Sequence, residues 1–166
     1  CGAASNGTSE RGVVVGGFGG GTTNAAAVNI QDIQYMTIST TGDASIFGDI
    51  TFGATRNAAP LSNGTQDRVV YGGGTTTTPA FDPQPAIEYI TITSLGDGTD
   101  FGDLLSPTSF GPGGGNSNGS GQRGLWQGDG TNTTTYITIN TTGDSLDFGD
   151  LTVARNGGGA LSNQVD

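Results

Sequence analysis

The sequence contains no histidine and no lysine, and it has a single cysteine, Cys1. Without histidine and lysine the chain lacks the commonest general base and the usual Schiff-base nucleophile. One cysteine excludes a disulfide bond within the chain. The five basic residues are all arginines, and the formal net charge is −10. Because nucleic acids and anionic membranes are bound through basic patches, this charge balance argues against both kinds of partner.

Amphipathic helices and long apolar runs are also missing. No long run places apolar side chains at i, i+3, i+4 and i+7, and no apolar run reaches the length that spans a membrane, so we expect no membrane insertion. Glycine accounts for 32 of the 166 residues, and Gly, Thr and Asn are poor helix formers. The composition therefore predicts an all-β chain of short strands and many turns. The chain starts with Cys rather than Met, and we expect it to be processed or to be a piece of a longer protein.

The sequence does contain one module that occurs three times. Three windows align without a gap, namely YMTISTTGDASIFGDI (Tyr35–Ile50), YITITSLGDGTDFGDL (Tyr89–Leu104) and YITINTTGDSLDFGDL (Tyr136–Leu151). An apolar run that begins with an arginine precedes each window, at Arg11, Arg68 and Arg123. A period of about 50 residues is typical of solenoids, propellers and arrays.

Each module is predicted to form four short antiparallel strands. The arginine-led run is the first, Y-x-T-I is the second, F-G-D-[IL] starts the third, and the T-x-A-R and S-N region forms the fourth. The Gly-Asp dipeptide between the second and third strands suits a tight turn. We therefore expect a single repeat domain over residues 1–166, with modules at approximately 11–67, 68–122 and 123–166. Residues 1–10 are expected to complete a preceding blade.

With these pieces in place, the module resembles a kelch-like repeat. The matching features are an apolar strand that ends in Gly-Gly, a tyrosine in the next strand, and an aromatic residue where kelch repeats usually place tryptophan (Phe47, Phe101 and Phe148). The runs are also similar to a repeat in tail-fibre and other structural proteins of marine and cyanobacterial tailed phages. The resemblance implies kelch-like β-propeller blades. Since propellers have about four to eight blades, we expect further repeats or other chains to complete the ring.

The three windows share the pattern Y-x-T-I-x-x-x-G-D-x-x-x-F-G-D-[IL], which we call the frame. The acids of the frame suggest a metal site. In TGDSLDFGDL, Asp144 and Asp150 are candidates for calcium, which prefers carboxylate oxygens. The interpretation that we favour is structural, with these acids accepting backbone hydrogen bonds in turns or pairing with arginine. The third acid, Asp147, corresponds to Ile46 in the first module, so it is not a required ligand. A catalytic carboxylate pair is a further alternative, but repetition of the acids argues against a single active site. We therefore expect no catalytic residue, and calcium is the one candidate cofactor.

The variable loops are where we expect recognition, because loops on a rigid scaffold carry it. These loops are Phe18–Gln34, Gly74–Glu88 and Gly130–Thr135. The candidates for contact with a ligand or partner are Phe18, Phe81, Asp82 and Trp126. For Trp126, packing in the core or between blades is the interpretation that we favour.

The function that the resemblance implies is a non-catalytic structural or adhesive component of a phage virion, such as a fibre or appendage. Its expected partners are other copies of itself, other virion proteins or a cell-surface glycan, and its expected location is the virion or the extracellular space. One alternative is a bacterial extracellular adhesin or filament subunit. A second alternative is a carbohydrate-active enzyme.

Overall fold

A computed structural model describes residues 1–5, 10–19, 28–64, 67–76, 82–108, 115–119, 122–127 and 130–156. This part of the chain is built from antiparallel β-strands and has no α-helix, which confirms the prediction of an all-β fold. The cause lies in the composition, since β-branched residues suit pleated strands and glycine disfavours helices. Accordingly, none of these residues forms a helix that could cross a membrane.

The strands form three sheets in chain order. The first sheet contains β1 to β4, which are Gly2–Ser5, Arg11–Gly19, Val28–Thr37 and Ser45–Asp49. The middle sheet contains β5 to β10, which are Thr55–Arg56, Ala59–Ser62, Arg68–Gly72, Thr75–Thr76, Asp82–Thr91 and Thr99–Thr108. The third sheet contains β11 to β14, which are Gly115–Ser117, Arg123–Gln127, Thr133–Thr138 and Leu146–Asp150.

The same four-stranded meander occurs in every sheet. It runs β1-β2-β3-β4 in the first sheet, β6-β7-β9-β10 in the middle sheet and β11-β12-β13-β14 in the third. The strand of the S-N region pairs with the arginine strand that follows it, so that Gly2 lies opposite Val15 and Ser5 opposite Gly12. Each meander therefore starts with the strand of the S-N region, whereas the predicted module starts with the arginine strand that follows it.

Two details of the predicted strand pattern are wrong. The T-x-A-R region forms only the two-residue strand β5 in the first module and no strand at 151–155 in the third. In the first module the backbone leaves the extended region nearby, because Gly53 and Asn57 have φ of 121° and 66°. The supposed loops also contain strand, since β3 begins at Val28 and β9 at Asp82.

These longer strands have a local cause. In β3, the sequence VNIQDI pairs with an extended end of β2, with Phe18 opposite Asn29. In β9, the backbone N–H of Gln84 donates to Gly74 O at 3.0 Å. The prolines on either side, Pro83 and Pro85, have no N–H and occupy alternate positions, so they remove donors from one edge only.

Two hydrophobic cores separate the three sheets. The first core lies between the first and middle sheets, and the second lies between the middle and third sheets. The middle sheet is therefore buried on both faces. Val69 and Val70 are successive residues of β7 that point to opposite faces, and both are fully buried. This burial explains why β7 reads as a continuous apolar run rather than as an alternating one.

Candidate functional site

The most regular feature of the structure is the contact between neighbouring sheets, which we call the joint. At the first joint, the Gly-Asp turn of the middle sheet meets the F-G-D strand of the first sheet. The backbone N–H of Gly96 donates to Phe47 O at 3.0 Å, and that of Gly98 donates to Asp49 O at 2.8 Å. In return, the Asp97 carboxylate accepts a hydrogen bond from the Asp49 N–H at 3.0 Å.

The second joint repeats this geometry between the middle and third sheets. The backbone N–H of Gly143 donates to Phe101 O at 2.7 Å, and that of Ser145 donates to Asp103 O at 2.8 Å. The Asp144 carboxylate accepts from the Asp103 N–H at 3.0 Å. The two halves of the frame, G-D and F-G-D, are therefore complementary parts of one connector, and they act between successive modules.

The glycine of F-G-D is required by the closeness of the joint. A Cβ atom on Gly48 would lie 2.1 Å from Gly96 O, and one on Gly102 would lie 2.5 Å from the carbonyl carbon of Gly143. No side chain fits in either place. At Gly48 and Gly102 the glycine thus follows from backbone contact between sheets, and at Gly102 and Gly149 the φ values of 145° and 134° also favour glycine.

An arginine, a tyrosine and a phenylalanine form the second part of each joint. In the first sheet, the Arg11 guanidinium lies 4.8 Å from the centroid of the Tyr35 ring, and Tyr35 meets Phe47 edge to face at 6.1 Å. Arg11 Nη1 also donates to Ile92 O of the middle sheet at 2.8 Å. The stack orients Phe47 toward the middle sheet, where its ring is buried in the first core.

The middle sheet carries the same group. Arg68 lies 4.0 Å from the centroid of the Tyr89 ring, and Tyr89 meets Phe101 edge to face at 6.2 Å. Arg68 Nη1 donates to Ile139 O of the third sheet at 2.9 Å. Two of the module's arginines are thus used to fasten one sheet to the next.

The first and third sheets each have one face that packs on the middle sheet and one outer face. The two outer faces carry the residues that form joints elsewhere in the chain. The tail face is the outer surface of the third sheet, formed by Arg123, Leu125, Tyr136, Phe148 and the backbone of Gly149 and Asp150. The head face is the outer surface of the first sheet, formed by Gly12, Val14, Met36, Ile38 and the turn at Gly42 and Asp43. Phe148, Met36 and Ile38 are exposed large apolar residues. The two faces carry the two halves of a joint.

The calcium candidates belong to this connector. Asp144 accepts the backbone bond of the second joint, whereas Asp150 is exposed at the end of β14. Asp147 Oδ1 accepts from the Gly149 N–H at 3.0 Å. Within the part of the chain that the structure describes, no group of three or more His, Cys, Asp or Glu side chains could hold a metal ion. Asp144 and Asp147 thus accept backbone hydrogen bonds from within the chain.

The contact candidates fall into two environments. Trp126 is buried in the second core and its indole N–H donates to Ala59 O at 2.9 Å, so it packs between sheets and offers no surface to a ligand. Phe18 is exposed at the end of β2, with the Arg56 guanidinium 5.1 Å from its ring centroid. Asp82 is exposed at the start of β9, and Gln84 Nε2 donates to its Oδ2 at 3.3 Å. Phe81 lies outside the described residues.

Phe18 and Asp82 lie at the same end of neighbouring sheets. Phe18 is paired across the ladder with Asn29, whose side-chain amide donates to Thr75 O at 2.6 Å. The next residue, Thr76, is paired with Asp82. This end of the sheets, which we call the loop end, carries an exposed aromatic ring and an exposed carboxylate.

Sequence reasoning missed a buried carboxylate at Glu88. It accepts hydrogen bonds from the Tyr71 hydroxyl at 2.8 Å and from the backbone N–H groups of Thr51 and Phe52 at 3.1 Å each. Burial, together with the neighbouring Glu88 carboxylate, raises the pKa of Tyr71 far above its ordinary value. The available signal was a single acid inside the apolar strand IEYITI. Because all these partners come from the chain itself, Glu88 anchors the segment that leaves the first sheet.

One open cleft lies beside the second joint. Its volume is about 240 Å³, and it is lined by Asp67, Arg68, Thr91 and Asn140. Asn63 is buried next to it and donates to Asn140 Oδ1 at 3.0 Å. Small-molecule sites usually occupy about 300–1,000 Å³ and are mostly apolar. This cleft is smaller and polar, and its arginine is already engaged in the joint.

Comparison of the sequence with protein-family models gave no match, and comparison with curated proteins gave none at the threshold applied.

Proposed function

We propose that the chain is a non-catalytic structural or adhesive component of a phage virion, such as a fibre or appendage. The observation that supports this proposal is the use made of the recurring charged residues. Asp97 and Asp144 accept the backbone bonds of the joints, and Arg11 and Arg68 donate across them. Charged groups that hold sheets together suit a load-bearing scaffold better than a catalytic centre. The assignment to a virion rests on the resemblance to phage tail-fibre repeats.

The architecture that we propose is a segment of a kelch-like β-propeller. Three four-stranded antiparallel meanders that pack face to face support this assignment. The first strands of neighbouring sheets also adjoin, since Ser62 Oγ donates to Ser5 O at 2.7 Å and Ser117 Oγ donates to Ser62 O. Blades arranged around a common axis bring equivalent strands together in this way.

The loop end is the surface that we propose for binding a partner protein or a cell-surface glycan. Phe18 offers an exposed ring, which can pack on an apolar sugar face or side chain. The Asp82 carboxylate can accept hydrogen bonds from hydroxyl groups. Both residues stand on strands whose buried side chains belong to the cores, β2 to the first core and β9 to both.

The virion assignment is tested with antibodies against the recombinant chain. Particle and cell fractions from the source material are labelled with these antibodies and examined by immunogold electron microscopy. The proposal predicts gold at the tails or appendages of phage particles. Gold on bacterial surfaces or secreted filaments, without labelled particles, would instead support the bacterial adhesin or filament subunit.

The binding surface is tested on a glycan panel. We expect Phe18→Ala and Asp82→Ala to weaken binding at least about tenfold each, because each removes a central contact of the loop end. Leu105→Ala, an equally exposed apolar substitution on the middle sheet, is the matched control. Product formation from any glycan by the unmodified chain would contradict the non-catalytic proposal and favour the carbohydrate-active enzyme.

A further inference from the structure

We infer that the tail face of the third sheet binds the head face of a second copy of this chain, which makes a joint between molecules. The inference names a partner for the proposed structural component and rests on that function only for its biological setting. The evidence for it is geometric, because the two faces carry the unused halves of a contact that the chain makes twice within itself.

On the tail face, the phenylalanine of the frame is exposed, whereas its equivalents at the two internal joints are buried. Phe47 and Phe101 are 3% and 2% exposed, whereas Phe148 is 52% exposed. The local arrangement is nevertheless the same, since Tyr136 meets Phe148 edge to face at 6.0 Å, as in the other two sheets. Phe148 is thus already oriented for a neighbouring sheet, and no sheet in the part of the chain that the structure describes covers it.

On the head face, the isoleucine that lies three residues after the frame tyrosine shows the corresponding difference in exposure. Ile92 and Ile139 follow the tyrosine strands of the middle and third sheets, and both are 0% exposed. Ile38 holds the same position in the first sheet and is 64% exposed. The residue two positions earlier agrees, because Met36 is exposed while its equivalents Ile90 and Ile137 are buried.

The polar half of the joint is also present and open. A Cβ atom on Gly149 would meet no atom within 4 Å, in contrast to the contacts at its equivalents Gly48 and Gly102. The turn at Gly42 and Asp43 has the same frame position as the turns that donate to F-G-D strands at the two internal joints. It can therefore form the same bonds with residues 148–150 of another molecule.

Arg123 of the third sheet is equivalent to Arg11 and Arg68, the arginines that donate across the two internal joints. Arg123 lies 4.6 Å from the centroid of the Tyr136 ring and 5.9 Å from that of the Phe148 ring. Its equivalents each donate to the carbonyl of a frame isoleucine in the next sheet. In a second copy the corresponding acceptor is Ile38 O, which lies on the head face.

Contact between two different faces sets the form of the assembly. Such a contact closes into a ring when the rotation between copies allows it, and otherwise continues as a filament. Two copies would bring six sheets into a ring, which falls within the range of about four to eight blades for propellers. Each copy has a net charge of −10, so repulsion opposes association and we expect association to strengthen with salt.

The first test measures the mass of the full chain by multi-angle light scattering over a wide concentration range at physiological salt. The inference predicts a species of twice the 16.5 kDa chain, or a series of higher multiples. A mass of 16.5 kDa at every concentration would overturn it.

The second test separates the two faces. Phe148→Asp removes the tail face and Ile38→Asp removes the head face, so each variant alone should be monomeric. Mixing the two variants should restore association, because one intact head and one intact tail are then available. The control is Leu105→Asp, an equally exposed apolar position on the middle sheet, which should associate like the unmodified chain.

Several results would contradict the inference. Normal association of Ile38→Asp would indicate a contact of the tail face with itself, and no recovery on mixing would exclude a head-to-tail joint. Circular dichroism checks that each variant is folded, and the milder pair Phe148→Ser and Ile38→Ser replaces any variant that is not. A monomeric result leaves the immunogold and glycan experiments unaffected, so the two proposals fail separately.

Discussion

At the scale of the residue, the glycine of F-G-D is the most constrained position of the frame. Gly48→Ala should lower the free energy of unfolding by about 1–3 kcal/mol, because a Cβ 2.1 Å from Gly96 O forces the sheets apart. Gly42→Ala is the matched control, since a Cβ there meets open space, and its effect should stay within about 0.5 kcal/mol. Urea unfolding measures both values, and equal losses would show that close contact at the joint is not the constraint.

Tyr71 is expected to make the stability of the fold depend on pH. Its pKa is raised by burial and by the neighbouring Glu88 carboxylate, so the folded chain holds the hydroxyl proton more tightly than the unfolded chain does. Below the ordinary tyrosine value of about 10, both states carry the proton and this contribution to stability is complete. Above that value only the unfolded state loses the proton, and the free energy of unfolding falls as the pH rises.

Tyr71→Phe should therefore flatten the alkaline loss of stability. At neutral pH the variant should be less stable by about 1–2 kcal/mol, because Glu88 loses a buried hydrogen bond. Unfolding in urea between pH 7 and pH 11 measures both effects. If the unmodified chain and the variant lose stability in parallel above pH 10, Tyr71 is not the group responsible.

At the scale of the element, the Gly-Asp turn connects one sheet to another in addition to closing its own hairpin. Asp97→Ala and Asp144→Ala should each cost about 1 kcal/mol, because each leaves a backbone N–H of the adjacent F-G-D strand without its acceptor. Asp43→Ala removes the same residue type from the equivalent turn of the first sheet, which adjoins no other sheet among the described residues. Measured in the monomer, its cost should be smaller, and equal costs for all three would contradict a role across the joint.

The elements themselves were only partly predictable from the sequence. The tyrosine strand and the F-G-D strand were recognisable, because their apolar and β-branched residues repeat three times in one frame. The beginning of β3 at Val28 and of β9 at Asp82 was not, because the sequence there varies between modules. Those ends are strands only because a neighbouring strand supplies the ladder, and a one-dimensional pattern carries no information about that partner.

At the scale of the whole molecule, the acids form part of the stacking of sheets, and we expect stability to be independent of calcium. Adding calcium or a chelator should leave the melting temperature unchanged, because Asp144 already accepts a backbone hydrogen bond. A ligand that binds only the folded state raises its stability. A melting temperature that rises with calcium concentration, measured by scanning calorimetry, would therefore show a metal site and contradict this prediction.

The candidate site was less predictable than the fold. The favoured interpretation, that the acids accept backbone hydrogen bonds, agrees with the bonds of Asp97 and Asp144. That these bonds cross from one module to the next does not follow from any spacing in the sequence. The role of Glu88 was also hidden, because two of its partners belong to the chain segment that leaves another sheet.

The sequence by itself determined that this protein is modular and all-β, since its glycine and threonine content disfavours helices and its frame occurs three times. It also determined the local group of arginine, tyrosine and phenylalanine, which has nearly the same ring geometry in each sheet. Only the tertiary structure decided which copies of the frame are buried. Phe101 and Phe148 have the same local ring geometry, but Phe101 is covered by a neighbouring sheet and Phe148 is exposed. The difference arises because burial depends on that neighbouring sheet.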